Sequence, residues 1–125
     1  MKEFMLYIRN IGDQKSTLSP EQHLAFLKAC EEYIGSLKQE KKLLAAQPLV
    51  RDGKMISGKE GQWKEEMIDP AKEIQVGYYH ILANDLDEAI AIAKGNPEFA
   101  YSSTAKIEVR PVKMKEESTG YVYPT

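Results

Sequence analysis

The sequence predicts an α+β protein in which a four-stranded antiparallel sheet carries two helices on one of its faces. Three observations lead there. Four stretches alternate apolar and polar residues with the two-residue period of a strand. Two others repeat apolar residues at helical spacing, each with its own start and stop signals. Their order along the chain is strand, long helix, strand region with hairpins, strand, short helix, strand. That order gives two right-handed β-α-β connections.

Phe4, Leu6 and Ile8 alternate with Met5, Tyr7 and Arg9, so the first strand has one plainly apolar face. A loop over residues 10–18 leads to Ser19-Pro20-Glu21-Gln22, a strong helix start with Ser19 as N-cap, Pro20 at the first helical position and Gln22 three residues after the cap. Leu24, Leu27, Cys30, Ile34 and Leu37 form the apolar stripe of a helix reaching Glu40, with Lys28, Glu31, Glu32 and Lys38 as its solvated side. Gly35 marks a close packing contact or an early end.

Residues 43–50 read as a second strand, and Asp52-Gly53 as a tight hairpin turn into Met55-Ile56-Ser57. Gly58 and Gly61 bracket another turn before a short strand containing Trp63, and Asp69-Pro70 breaks the pattern. The central unit follows. Val76, Tyr78, His80 and Leu82 share one side of a strand, with Gly77, Tyr79, Ile81 and Ala83 on the other. Asp85 and Glu88 have capping-box spacing, Leu86, Ala89, Ile90 and Ala93 make the buried stripe, and Gly95 with Pro97 ends the helix. An irregular polar connection then reaches the last strand, where Ile107 and Val109 alternate with Glu108 and Arg110, and Pro111 confines the strand to an edge or a strand end. The reading is one domain over residues 1–112 and a polar tail over 113–125, mobile or laid on a partner subunit.

At 125 residues, folding buries roughly two-thirds of the chain's surface. A net charge of −2, with 17 basic and 19 acidic residues interspersed, leaves no basic patch for a nucleic acid. No apolar run approaches the roughly 20 residues of a spanning helix, and the first ten residues lack a signal peptide's apolar core, so the expectation is cytoplasmic with no membrane partner. Cys30 is the one cysteine, which removes an intrachain disulfide and a cysteine-rich metal site; it reads as a buried, inert thiol.

Helices on one side of the sheet face Phe4, Leu6, Ile8, Tyr79, Ile81, Ile107 and Val109. The opposite face then holds Met5, Tyr7, Arg9, Tyr78, His80, Leu82, Glu108 and Arg110, too apolar for bare water and too charged for a dry core. Homodimerisation through that face resolves the conflict most simply.

Three stretches together resemble the YCII-related (YciI-like) family and its DGPF-domain relatives, of the dimeric α+β barrel group. They are E-Q-H-L-A-F-L-K with the later L-L-A-A-Q-P, then G-Y-Y-H-I-L-A-N-D-L-D-E-A-I-A-I-A, then I-E-V-R-P-V. The resemblance covers residues 4–112. It implies a ferredoxin-like βαββαβ sandwich, here with a β-hairpin insertion, whose two copies face each other sheet to sheet around a cleft. Relatives and fold neighbours include lyases, isomerases, dehydrochlorinases and monooxygenases of small organic molecules, which is analogy at the level of fold. The DGPF tetrad is reduced here to Asp69-Pro70, and the helix histidine suspected of function in the family matches His23.

Imidazole is the side chain suited to proton exchange near neutral pH, which singles out His80 in mid-strand on the mixed face and, by resemblance, His23. Taking the first and third main strands as parallel neighbours puts Tyr7 and Arg9 beside His80. Arg9 or Arg110 would clamp a substrate carboxylate, with Tyr7 or Tyr78 donating a hydrogen bond. His23 and Arg9 are expected near one cleft mouth. The plainer alternative is a histidine satisfied at the dimer contact, with Arg9 paired to Glu108. Two histidines without a carboxylate at ligand spacing make no metal site, and no cofactor motif is present. Asp85, Asp87 and Glu88 read as helix-start residues, and Trp63 and Tyr101 as pocket lining or core. The expectation is a homodimer binding a small anionic or carbonyl-bearing molecule at the sheet face; an enzymatic version would do lyase- or isomerase-type acid–base chemistry. The alternative is a non-catalytic dimerisation or regulatory module.

Overall fold

Alternation along β1 (Lys2–Ile11) sends Phe4, Leu6, Ile8 and Asn10 into the interior and leaves Met5, Tyr7 and Arg9 half-buried on the other side. The computed structural model describes residues 1–11 and 17–124. Most of the loop expected over 10–18 therefore lies outside the described residues.

The start of α1 (Pro20–Gln39) is the full reciprocal cap: Ser19 Oγ accepts the Gln22 N–H at 3.1 Å, and Gln22 Oε1 accepts the Ser19 N–H at 2.9 Å. The inward side of the helix differs from expectation. Phe26 and Leu37 are buried, with Tyr33 and Ile34 packed on the core, while Leu24 and Leu27 are 54% and 51% exposed. The aromatic rings decide the helix's rotation: Phe26 packs edge-on against Tyr101 at 5.3 Å and Tyr33 against Tyr79 at 5.5 Å. Cys30, expected to be buried, is half-buried. A Cβ at Gly35 would meet nothing within 4 Å, so that glycine answers no close contact.

The remaining elements are β2 (Leu43–Pro48), β3 (Lys54–Lys59), β4 (Gln62–Met67), β5 (Glu73–Ala83), α2 (Leu86–Lys94), α3 (Glu98–Tyr101) and β6 (Lys106–Pro111). The main sheet has the order β2-β5-β1-β6, antiparallel throughout, and β3 with β4 forms a separate ribbon. This is the ferredoxin-like order, with Pro111 on an edge strand as expected. Two local expectations change. Asp52-Gly53 does not turn a hairpin between β2 and β3, because β2 pairs with β5. The ribbon instead turns at Glu60-Gly61, and Gly58 is required there: its φ is +104°, and a Cβ would stand 2.2 Å from the Gln62 carbonyl oxygen. Nor are β1 and β5 parallel. The chain reverses between β2 and β5, and β2 runs with β1, so β5 must oppose both.

Asp85 Oδ1 caps α2 by accepting the Glu88 N–H at 2.8 Å, while the Glu88 carboxylate turns to Asn84 Nδ2 (3.0 Å) and Lys42 Nζ (3.3 Å). Ala89 and Ala93 are buried and Ile92 packs on the core, whereas Leu86 is exposed. The core joins Phe4, Leu6, Ile8, Tyr79 and Ile81 to Leu37 of α1 and to Ala89 and Ala93 of α2, with Ile107 and Val109 alongside. Both helices therefore cover the same face. Leu6 and Ile81 have no exposure, and burying each side chain is worth about 1.5–3 kcal/mol.

Two further features position the sites. The β1–β5 register steps between Ile8, opposite Gly77, and Arg9, opposite Gln75. That bulge leaves Val76 unpaired on β1 and turns it to the helices, where it packs on the core rather than beside Tyr78 and His80. The segment after Pro97, expected to be irregular, contains α3. Asn10, 1% exposed, holds it: Asn10 Nδ2 donates to Glu98 Oε1 (3.3 Å) and Ser102 Oγ (3.0 Å), and Asn10 Oδ1 accepts from Thr104 Oγ1 (2.6 Å). In the tail, Lys115 and Val122 form an isolated bridge, and the Tyr123 hydroxyl donates to the Glu116 carboxylate.

Candidate functional site

On the face left bare by the helices, before the bulge, odd-numbered residues of β1 meet even-numbered residues of β5, Met5 opposite His80 and Tyr7 opposite Tyr78. The antiparallel direction brings a residue the sequence reading did not include. Glu3, opposite Leu82, reaches diagonally to His80, and Glu3 Oε1 lies 2.7 Å from His80 Nε2 with both side chains about a quarter exposed. Arg9 also finds a carboxylate other than the expected Glu108. Its Nε donates to Glu73 Oε2 at 3.1 Å, while Glu73 Oε1 takes Lys106 Nζ at 2.8 Å. Hydrogen bonds from Lys106 first and Arg9 second hold the Glu73 carboxyl below the usual range. Glu108 instead stands 3.6 Å from Arg110 on its own strand. His80, Arg9 and Arg110 thus each have a carboxylate at ion-pair distance.

The concave sites lie elsewhere. A cleft of about 650 Å³ opens beside the first turn of α1, where Leu18, His23, Phe26, Leu49, Arg51 and Val76 are among its walls. The capping box fixes the helix start that presents His23, and the chain leaving β2 supplies Arg51. Arg9 does not join His23 there. It lines a different depression of about 510 Å³ with Glu73, Asp52 and Met55, and His80 borders neither. The reason is parity: Arg9 points to the bare face, and α1 covers the other. Leu49 and Arg51 border both depressions.

Of the aromatic candidates, Trp63 is 62% exposed on the ribbon, while Tyr101 backs Phe26 in the cleft wall. Arg51 had no signal in the sequence, since a single arginine before Asp52-Gly53 belongs to no pattern. Glu3 had one: in an antiparallel register it is the diagonal neighbour of His80. Among the described residues, no three His, Cys, Asp or Glu side chains gather as a metal site, and no helix is long and apolar enough to cross a membrane.

A ferredoxin-like sheet with both main helices on one face and the other face bare defines an α+β protein. The chain belongs to the YCII-related domain family, whose model matches residues 5–113, from β1 to just beyond β6. No curated protein matches it.

Proposed function

We propose that the protein is a homodimer joined through its bare sheet face and that it binds a small anionic or carbonyl-bearing molecule in the cleft beside α1. His23 exchanges a proton with the ligand there. The observation that carries this reading is that His23 and Arg51 both line one cleft of about 650 Å³, a volume within the roughly 300–1,000 Å³ of small-molecule sites. A guanidinium offers a planar pair of donors to a carboxylate, and an imidazole beside it can donate to or accept from the adjacent oxygen. Leu18, Phe26 and Leu49 supply apolar wall for the rest of the ligand.

The sheet face suits a different task. Arg9 and Arg110 stand beside carboxylates and His80 touches Glu3, so a twin copy would cover mostly paired polar groups, while Met5, Tyr7, Tyr78 and Leu82 gain apolar contact.

The test is thermal shift with a panel of small carboxylates and 2-oxo acids. A ligand at 100 times its dissociation constant stabilises the native state by about 2.7 kcal/mol. His23→Ala and Arg51→Ala should each lose the shift while keeping the far-UV spectrum and sedimentation of the wild type. A shift that survives in both variants refutes the cleft assignment. A second reading has its own observation, the 2.7 Å contact of Glu3 with His80, which is how a carboxylate orients a proton-carrying imidazole. On that reading His80→Ala, not His23→Ala, abolishes the shift.

A further inference from the structure

We infer that a partly open chamber between α1 and the sheet, adjoining the His23 cleft, binds a small uncharged molecule through a carbonyl-type acceptor oxygen. The chamber holds about 220 Å³. An apolar cavity of about 150 Å³ already takes a benzene ring, so there is room here for a six-membered ring with a short substituent. Phe26, Ile34, Ala46 and Val76 provide apolar wall, and Phe26 and Val76 also face the neighbouring cleft.

Asn96 sets the polarity of the ligand. It lines the chamber and is 4% exposed. Its Oδ1 accepts the Glu98 N–H at 2.8 Å, which fixes the orientation of the amide, and the opposite atom, Nδ2, is buried with no hydrogen-bond partner. A buried donor left unmet is costly, and a ligand oxygen removes that cost. Tyr79, also in the wall, adds a second group. Burial first, then the neighbouring Cys30 and Glu98, push its phenol up to about 12, so it stays neutral and able to donate. The Asn96 amide comes near enough to that hydroxyl to oppose the rise slightly, yet not in the geometry of a hydrogen bond.

Glu98, 6% exposed, is a further buried polar side chain in the wall, and Asn10 Nδ2 donates to its Oε1 at 3.3 Å. An anion placed against this mostly apolar wall would lose its water with no lysine or arginine among the described residues of the lining to meet it, whereas a neutral ketone, aldehyde or amide brings no charge that needs one. The inference rests on the Asn96 donor and the apolar lining and goes beyond the reading of the His23 cleft.

The probe is acetophenone, titrated into the full chain and followed by amide NMR, with ethylbenzene and benzoate as comparators. Acetophenone should saturate, move the Asn96 side-chain amide signals, and bind about tenfold tighter than ethylbenzene, the worth of one neutral hydrogen bond. Benzoate should bind at least as weakly as ethylbenzene. Asn96→Asp keeps the acceptor for the Glu98 N–H and removes the donor, so it should erase the preference for the ketone. Should that variant not fold, Ala46→Leu, which fills the chamber from β2, should abolish acetophenone binding. Equal affinities for ketone and hydrocarbon, no saturable binding, or binding indifferent to Ala46→Leu each overturn the inference. The carboxylate panel probes different residues, so either test can fail without the other.

Discussion

Glu3 and His80 stand on adjacent antiparallel strands, one diagonal step apart, and their side chains meet at 2.7 Å on the face that no helix covers. With both about a quarter exposed in the single chain, the pair is worth only about 0.2–1 kcal/mol there. Burial in a sheet-to-sheet contact changes the sign of the argument, because removing one member would then strand the other. Glu3→Gln and His80→Ala should each weaken self-association in sedimentation equilibrium while hardly moving the unfolding midpoint of the monomer. The double variant should cost less than the two single losses combined. A wild-type chain that stays monomeric, or variants that associate like it, would count against the dimer.

Asn10 is a buried link between the end of β1 and the segment holding α3. Asn10→Ala removes its bonds to Glu98, Ser102 and Thr104 at once. The expected loss is about 2–3 kcal/mol in urea unfolding. Hydrogen exchange should also speed up over residues 98–104 while the amides of β5 keep their protection.

Tyr79 makes the protein sensitive to alkali. Its phenol ionises near 10 in an unfolded chain and, when buried, only at about 12. The raised value means that its contribution is complete below about pH 10 and is lost as pH rises towards about 12, where the unfolded chain alone has gained the charge. Tyr33, raised by the same burial, acts in the same direction. Urea midpoints followed up the pH scale should fall over that window in the wild type and fall less in Tyr79→Phe.

Glu73 acts at the acid end with the opposite sign. Its lowered carboxyl adds stability above the ordinary carboxylate range, and that stability is lost as pH falls through the folded value. Carboxyl NMR titration should find Glu73 protonating later than an isolated glutamate as acid is added, and Lys106→Ala should move its midpoint upward more than Arg9→Ala does, in the order of the two hydrogen bonds' effects.

Local signals were read correctly where the physics is local. Ser19, Pro20 and Gln22 lie within one turn, and the cap they spell forms in full. The parity of Phe4, Leu6 and Ile8 likewise needs only the pleat of a strand. Asp52-Gly53 failed as a turn because strand pairing is decided by distant partners, and β5 took β2. The rotation of α1, with Phe26 rather than Leu24 inward, depends on Tyr101, which lies 75 positions further along the numbering of the same chain. At the sites, parity placed Tyr7, Arg9, Tyr78, His80 and Arg110 on a common face, but the carboxylates that answer them, Glu3 and Glu73, required the register. Arg51 and Asn96 sit in connections, where no periodicity marks a residue.

The unpaired position of Val76 has a further consequence. Because it has no counterpart on β1, its side chain can change size without altering the match between the two strands, yet it forms wall in both the His23 cleft and the inner chamber. On the proposed ligand readings, a change of size at Val76 would reshape both hollows together while the register of β1 with β5 stays as it is.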